Sequence, residues 1–281
     1  ASRIVLAREC TLAEIKTIIS KTGIEVETFV HGAMCVAVSG RCLLSHEAYG
    51  KSGSRGECLQ PCRRKYYVRE VEQDESCTAE FEVTPHTVFS ARDLCSIPFV
   101  DQLMAAGIAS FKIEGRARNP EYVQVVTAAY RRAVDAVTDN RFTPELAAEL
   151  EQSCAQVYHR EYGRGLFHGR PGKEQLTSCD SNMATTRKVH AGVVRKYYKR
   201  PQVAEIYVQN NTVYAGEKIA IHGETSGIVE LQTNTMEQDG VLLKQANKGE
   251  WFTILCEKRV RENDKVYIIR DAETAGSSGS D

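Results

Sequence analysis

The chain has 281 residues, a formal net charge of −1 and 26% charged residues, so no global basic field argues for nucleic acid, although a local basic face is compatible with it. Its length suits one large domain or two ordinary ones. No apolar run approaches the roughly 18 residues of a membrane span, and the N-terminus lacks a signal-peptide pattern; this excludes a spanning helix and places the chain in the cytosol, where its ten cysteines stay reduced.

The chain opens with Ala1-Ser2 and runs straight into the apolar IVLA without an initiator Met, the pattern of a fragment whose first part is missing. Arg3–Ala7 reads as a buried strand and Leu12–Lys21 as a helix, with Thr11 and Glu14 forming a capping box. Ile24–Phe29 alternates and is bounded by Gly23 and Gly32, so it reads as a second strand; strand, helix, strand is the rhythm of a parallel sheet. Residues just beyond that strand then lie at the sheet's carboxyl edge, where α/β folds keep their sites.

Lys51–Arg69, dense in Gly, Ser, Lys and Arg, reads as a loop. Its basic residues interleaved with Tyr66 and Tyr67 suit either a phosphate backbone or a solvated cover. Val83–Phe89 is a short strand, Ala91–Leu94 a helical turn, Pro98–Ala106 a helix ending at Gly107, and Ser110–Glu114 a strand. Pro120–Thr138 and Pro144–Val157 are helices with proline at the start.

Residues 158–186 lack a period and read as an extended linker over the first domain. From 187 to 271 the texture changes to short strands punctuated by turn signals, the pattern of a small β-barrel. Residues 272–281, AETAGSSGSD, read as a disordered tail. The fold class is therefore α/β: a partial (β/α) barrel-like domain over 1–157, followed by a C-terminal β-barrel.

The chemistry concentrates in the cysteines. Their spacing, Cys35-x6-Cys42-x15-Cys58-x3-Cys62 with Cys95 further on, matches neither paired zinc knuckles nor the tight ferredoxin run. Thiolates delivered singly by irregular loops suit a [4Fe–4S] cluster; zinc and no metal at all remain the alternatives. Cys58 and Cys62, four apart, would share a helical turn. Cys10, Cys77, Cys154, Cys179 and Cys256 read as ordinary thiols. Glu27, His31 and Cys35 stand at four-residue intervals, from which a cysteine-protease triad can be sketched, but a nucleophile among other thiols is better used as a ligand. A second constellation, Lys112, Glu114 and Arg116, would present a carboxylate between two cations, suited to an anionic substrate or to a plain ion pair. Arg41, Arg63 and Arg64 are further anion-binding candidates, whereas His46 and His159 read as loop or core histidines.

The run from Glu27 through Phe29, Gly32, Ala33, Met34, Cys35, Gly40, Cys42 and Leu44 to Ser45 resembles the signature of the collagenase-like peptidase family U32. RGECLQPCRRKY, SARDLC, FKIEGRARNPEYV and YHREYGRGLFHGRP follow in the family's order. The resemblance implies a cluster held by Cys35, Cys42, Cys58 and Cys95, with Cys62 as the alternate for the fourth place. The C-terminal part is similar to the extension of the branch that hydroxylates the wobble uridine of tRNA. That branch implies oxygen-independent 5-hydroxyuridine formation, RNA as partner and prephenate, a dicarboxylate, as co-substrate. A collagenase-like peptidase and a non-catalytic or zinc-binding RNA-associated module are the other readings.

Overall fold

The computed structural model describes residues 1–35, 37–71, 77–83, 91–116, 118–169, 172, 176–177 and 182–272. It divides into two compact units, Ala1–Met183 and Ala184–Asp281. No helix among the described residues is long and apolar enough to cross a membrane.

The first unit is mixed α/β. Its elements are β1 (Arg3–Val5), α1 (Leu12–Thr22), β2 (Glu25–Gly32), α2 (Leu44–Tyr49), β3 (Tyr66–Val71), β4 (Cys77–Val83), β5 (Asp93–Cys95), α3 (Val100–Ala105), β6 (Ser110–Ile113), α4 (Pro120–Thr138), α5 (Pro144–Ala155) and β7 (Tyr162–Gly163). A five-stranded sheet is centred on β2, which runs parallel to β1 and β6 and meets β5 antiparallel at His31 and Gly32. Parallel strands end on one edge, so the segments after β1, β2 and β6 are brought together there. The helices start and stop where the side chains dictate. Thr11 and Glu14 close a capping box on α1, Gly23 ends it in the left-handed conformation, and Asn119 and Thr143 cap α4 and α5 ahead of a proline. Along α4, Tyr122, Val126, Ala129, Tyr130, Ala133 and Ala136 form the buried stripe, and all but Ala136 pack in a core that also takes Ile15 of α1, Val26 and Val30 of β2 and Leu150 of α5.

Several local expectations are corrected. Ala91–Leu94 is no helical turn: Asp93–Cys95 is a strand, because β2 and β7 supply hydrogen-bonding neighbours that local sequence does not reveal. Lys51–Arg69 is not a uniform loop; it holds short 3-10 turns at Gly53–Arg55 and Pro61–Arg63 and runs into the hairpin β3–β4. Most of Val83–Phe89 and the tail after Ala272 lie outside the described residues. The stretch expected as a linker contributes β7, which pairs with β5, and Leu12 donates to the Phe167 carbonyl at 2.9 Å, so this segment belongs to the first unit.

The second unit is all β: β8 (Thr186–Tyr198), β9 (Val203–Val208), β10 (Val213–Tyr214), β11 (Lys218–Gly223), β12 (Gly227–Gln232), β13 (Glu237–Gln238), β14 (Val241–Leu242), β15 (Gln245–Ala246), β16 (Trp251–Leu255) and β17 (Lys265–Asp271). Eight of these form an antiparallel sheet in the order β12-β11-β17-β8-β9-β16-β13-β14, and β10 pairs with β15. Among the described residues β12 and β14 do not pair with each other, so the sheet is not closed into the barrel expected from the strand spacing. Inward residues alternate along β9, where Ala204, Ile206 and Val208 are buried. Gly192 of β8 is required by close approach, since a Cβ there would sit 1.9 Å from the Tyr207 carbonyl oxygen.

Candidate thiol site at the carboxyl edge of the sheet

β2 ends at Gly32, where φ is +111° and an added Cβ would lie 2.7 Å from the Glu114 carbonyl oxygen. Only glycine lets the end of β2 and the exit of β6 approach this closely. The chain then turns through Ala33 and Met34 to Cys35, which is exposed, and on to Cys42. Here Glu9, just after β1, accepts from the Ser39 backbone N–H at 2.7 Å and ties the loop to the sheet. Helix α2 follows, and its buried Ser45 accepts from the Leu59 N–H at 3.0 Å. That bond draws the loop carrying Cys58 and Cys62 over the first pair of thiols. These two cysteines do not share a helical turn: Gln60 between them is left-handed, with φ at 53°. The kink aims the Gln60 N–H at the Cys58 sulfur, 3.3 Å away.

Cys35, Cys42, Cys58 and Cys62 line one cavity of about 380 Å³. Burial holds the Cys62 thiol above its ordinary range; the other three thiols push the same way and the Arg63 guanidinium opposes them. Cys95 is not part of this group. It is fully buried on β5, opposite His31, and burial raises its thiol to about 12. Cys95, expected ahead of Cys62 as the fourth ligand, is thus placed apart from the four thiols of this cavity, because β5 turns its side chain into the core.

The donor set tests what the cavity suits. Among the described residues no three His, Cys, Asp or Glu side chains close on one metal-ion point. Zinc requires four ligands at roughly 2.0–2.3 Å from a single centre, whereas in a [4Fe–4S] cluster the four cysteines bind different irons and stand apart around an inorganic core. Four thiols spread around an open volume suit the second demand better than the first.

A second, larger cavity of about 650 Å³ shares the wall formed by Arg8, Met34, Cys35, Val38, Ser39, Glu114 and Arg116. Arg8 donates to the Ala33 carbonyl at 2.5 Å, pairs with Glu114 at 3.4 Å and lies 4.0 Å over the Phe29 ring. Its pKa is lowered, first by burial, with Glu114 and Cys35 opposing. Glu114 also accepts from the Arg116 backbone N–H at 2.8 Å, while the Arg116 guanidinium reaches the Gly56 carbonyl. Arg63, half-buried, bridges the Ala91 and Met34 carbonyls at 3.1 and 2.9 Å.

Other expected residues stand elsewhere. Lys112 pairs with Glu27 at 3.3 Å across β2 and β6, and neither lines these cavities. Strand alternation does not join Lys112 to Glu114, because β6 already ends at Ile113. Arg64 donates to the Tyr49 hydroxyl, and Arg41 is exposed outside both cavities. His31 is sealed among Tyr122, Tyr130 and Tyr162, with ring centroids 5.3–5.9 Å away, and burial, then Arg118 and His159, lower its pKa to about 3. The Glu27–His31–Cys35 triad is thus not assembled. Arg8, Glu9 and Arg92 were missed; the rule that favours residues after β2 also points to Arg8 and Glu9 after β1.

The model of peptidase family U32 matches residues 1–177. An uncharacterized protease of Methanocaldococcus jannaschii is 36% identical over 96% of this chain and 67% of its own length. A collagenase of Porphyromonas gingivalis is 33% identical over 95% of the chain and 66% of its own. A tRNA hydroxylation protein of Bacillus subtilis is 31% identical over 84% of the chain and 54% of its own. The chain thus spans about two thirds or less of these relatives' length.

Proposed function

The chain belongs to peptidase family U32, and from that membership we propose that it serves oxygen-independent RNA hydroxylation, namely 5-hydroxyuridine formation at the wobble position of tRNA, with a [4Fe–4S] cluster as resident cofactor and prephenate as co-substrate. The relative named for tRNA hydroxylation supports the reaction class. The observation that carries the reading is a thiol-lined cavity sharing a wall with a larger one bearing Arg8, Arg92 and Arg116.

In this reading Cys35, Cys42, Cys58 and Cys62 hold the cluster, which when bound supplies a redox or Lewis-acid centre. The Gln60 N–H directed at the Cys58 sulfur fixes its position in the loop. Arg8, Arg92 and Arg116 receive the dicarboxylate, and Glu114 fixes Arg8 in place before the ligand arrives. The larger cavity falls within the usual range of small-molecule sites, about 300–1,000 Å³. A peptidase reading draws on the collagenase-named relative, yet His31 stands in its tyrosine cage and makes no hydrogen bond to Cys35 among the described residues.

Anaerobic reconstitution with iron and sulfide counts tests the ligand set. Serine at Cys35, Cys42, Cys58 or Cys62 removes most of the iron, whereas Cys95→Ser keeps it; the reverse pattern at positions 62 and 95 would sink this assignment. A colourless, zinc-loaded protein would favour the zinc-binding module. Cells lacking the gene lose the hydroxylated wobble uridine, and unchanged RNA would overturn the reaction.

A further inference from the structure

We propose that the outward face of the second unit's sheet, across β17, β8, β9 and β16, is a stacking platform for single-stranded RNA. This rests on the RNA reading above and adds to it the surface on which the strand is held. Ala204 and Ile206 of β9, Phe252 and Ile254 of β16, and Val266 and Ile268 of β17 are buried in the core of this unit. Strand alternation therefore turns the residues between them to the other face. Register then aligns those residues in a row: Lys265 lies opposite Val193, Val193 opposite Tyr207, and Tyr207 opposite Trp251. Tyr267 and His190 form the next pair along β17 and β8.

Two large rings thus stand side by side on neighbouring strands; Tyr207 is 36% exposed and Trp251 half-buried. Tyr267 is held between His190 and His222, with ring centroids 5.4 and 4.9 Å away, and the Asn210 amide lies 2.7 Å from His190 Nδ1. A ring fixed in advance costs less to order when a base stacks on it. The charge around the rings selects the occupant. The row contains Lys265 and no carboxylate, and Lys188 lies 5.8 Å from the Tyr267 ring. Of the carboxylates in adjoining register, Glu205 is taken by Arg195 at 3.4 Å and by the Tyr198 hydroxyl at 2.8 Å, and Glu230 by Lys218 at 2.7 Å; Glu237 stands beyond Thr253 at the margin. A protein partner calls for an apolar centre with charge at the rim. Here a lysine stands in line with the rings, which suits bases stacked on aromatic faces and phosphates passing cations.

Trp251 is the only tryptophan of the chain, so its emission reads this face directly. A single-stranded RNA of about ten nucleotides, within the span of comparable β platforms, is titrated into the full chain. An abasic strand of equal length is titrated beside it, and thermal melting checks folding. The RNA quenches Trp251, and the abasic strand, which keeps the phosphates but offers nothing to stack, binds roughly tenfold or more weakly. Tyr207→Ala weakens RNA binding roughly five- to hundredfold, the scale of one stacked base, whereas Tyr207→Phe keeps it. Should Tyr207→Ala fail to fold, the abasic comparison on the wild type carries the test. No quenching, equal binding of the abasic strand, or wild-type affinity in folded Tyr207→Ala would overturn the proposal and leave the face to a protein partner. Loss of the hydroxylated uridine in cells lacking the gene, without strand binding here, would sink only this inference; strand binding with unchanged cellular RNA would sink only the hydroxylase reading.

Discussion

At the scale of single residues, the site depends on groups held in states they would not adopt in water. His31 is the sharpest case: its Nε2 is buried without a hydrogen-bond partner among the described residues, and Arg118 and His159 add repulsion to the burial that lowers its pKa to about 3. In the unfolded chain a histidine titrates near 6.5. Between those values the unfolded state binds the extra proton, so the stability that His31 contributes is complete above about pH 6.5 and is lost as pH falls toward 3, at about 1.4 kcal/mol per pH unit for one proton. His31→Phe removes that titration while keeping a ring among the three tyrosines. Urea melts at pH 7, 6 and 5 are expected to show a shallower decline in the variant, and parallel profiles would place the buried proton equilibrium elsewhere. The Arg118 guanidinium that acts on the imidazole is held by the buried Asp93 at 3.0 Å.

At the scale of elements, the site is built where three parallel strands stop, and Gly32 is the joint between two of them. Gly32→Ala would place a methyl 2.7 Å from the Glu114 carbonyl oxygen, at a φ that side chains rarely adopt. A destabilisation of at least ~1–3 kcal/mol is expected. Because Glu114 must move, Arg8 loses its carboxylate partner, and the midpoint of urea denaturation should fall; a variant with wild-type stability would show that β2 has room to relax. The sequence announced the helices plainly: Thr11, Glu14 and Gly23 bracket α1, and Asn119-Pro120 and Thr143-Pro144 open α4 and α5. These signals act within a few residues. β5 was misread because its strand character comes from β2 and β7, far away in sequence. The same limit hid where Cys95 would stand, since only the pairing of β5 with β2 turns it inward. Cys35, Cys42 and Cys58 were legible as a group because clustering of thiols is itself a local signal.

At the scale of the whole molecule, the two units have separate cores. The apolar cluster of the second runs from Ala191 to Ile268 without a residue from the first, so residues 184–281 alone are expected to unfold cooperatively, and, on the proposed cluster reading, residues 1–183 alone to take up iron on reconstitution. The second unit carries an exposed basic run, Arg195, Lys196, Lys199 and Arg200, interleaved with Tyr197 and Tyr198, and Lys196 lies 5.0 Å from the Tyr198 ring. Two pairs of cations flanking half-buried tyrosines on one strand and its turn suit a phosphate backbone. Each phosphate contact steepens the fall of affinity with salt by close to one in the log–log slope. If this run grips tRNA, the full chain binds it with a steeper salt dependence than residues 1–183, and replacing the four cations by glutamine lowers the slope toward that of the shortened chain. Equal slopes for all three proteins would leave the thiol-bearing unit as the sole RNA-binding part and the all-β unit without a share in substrate capture.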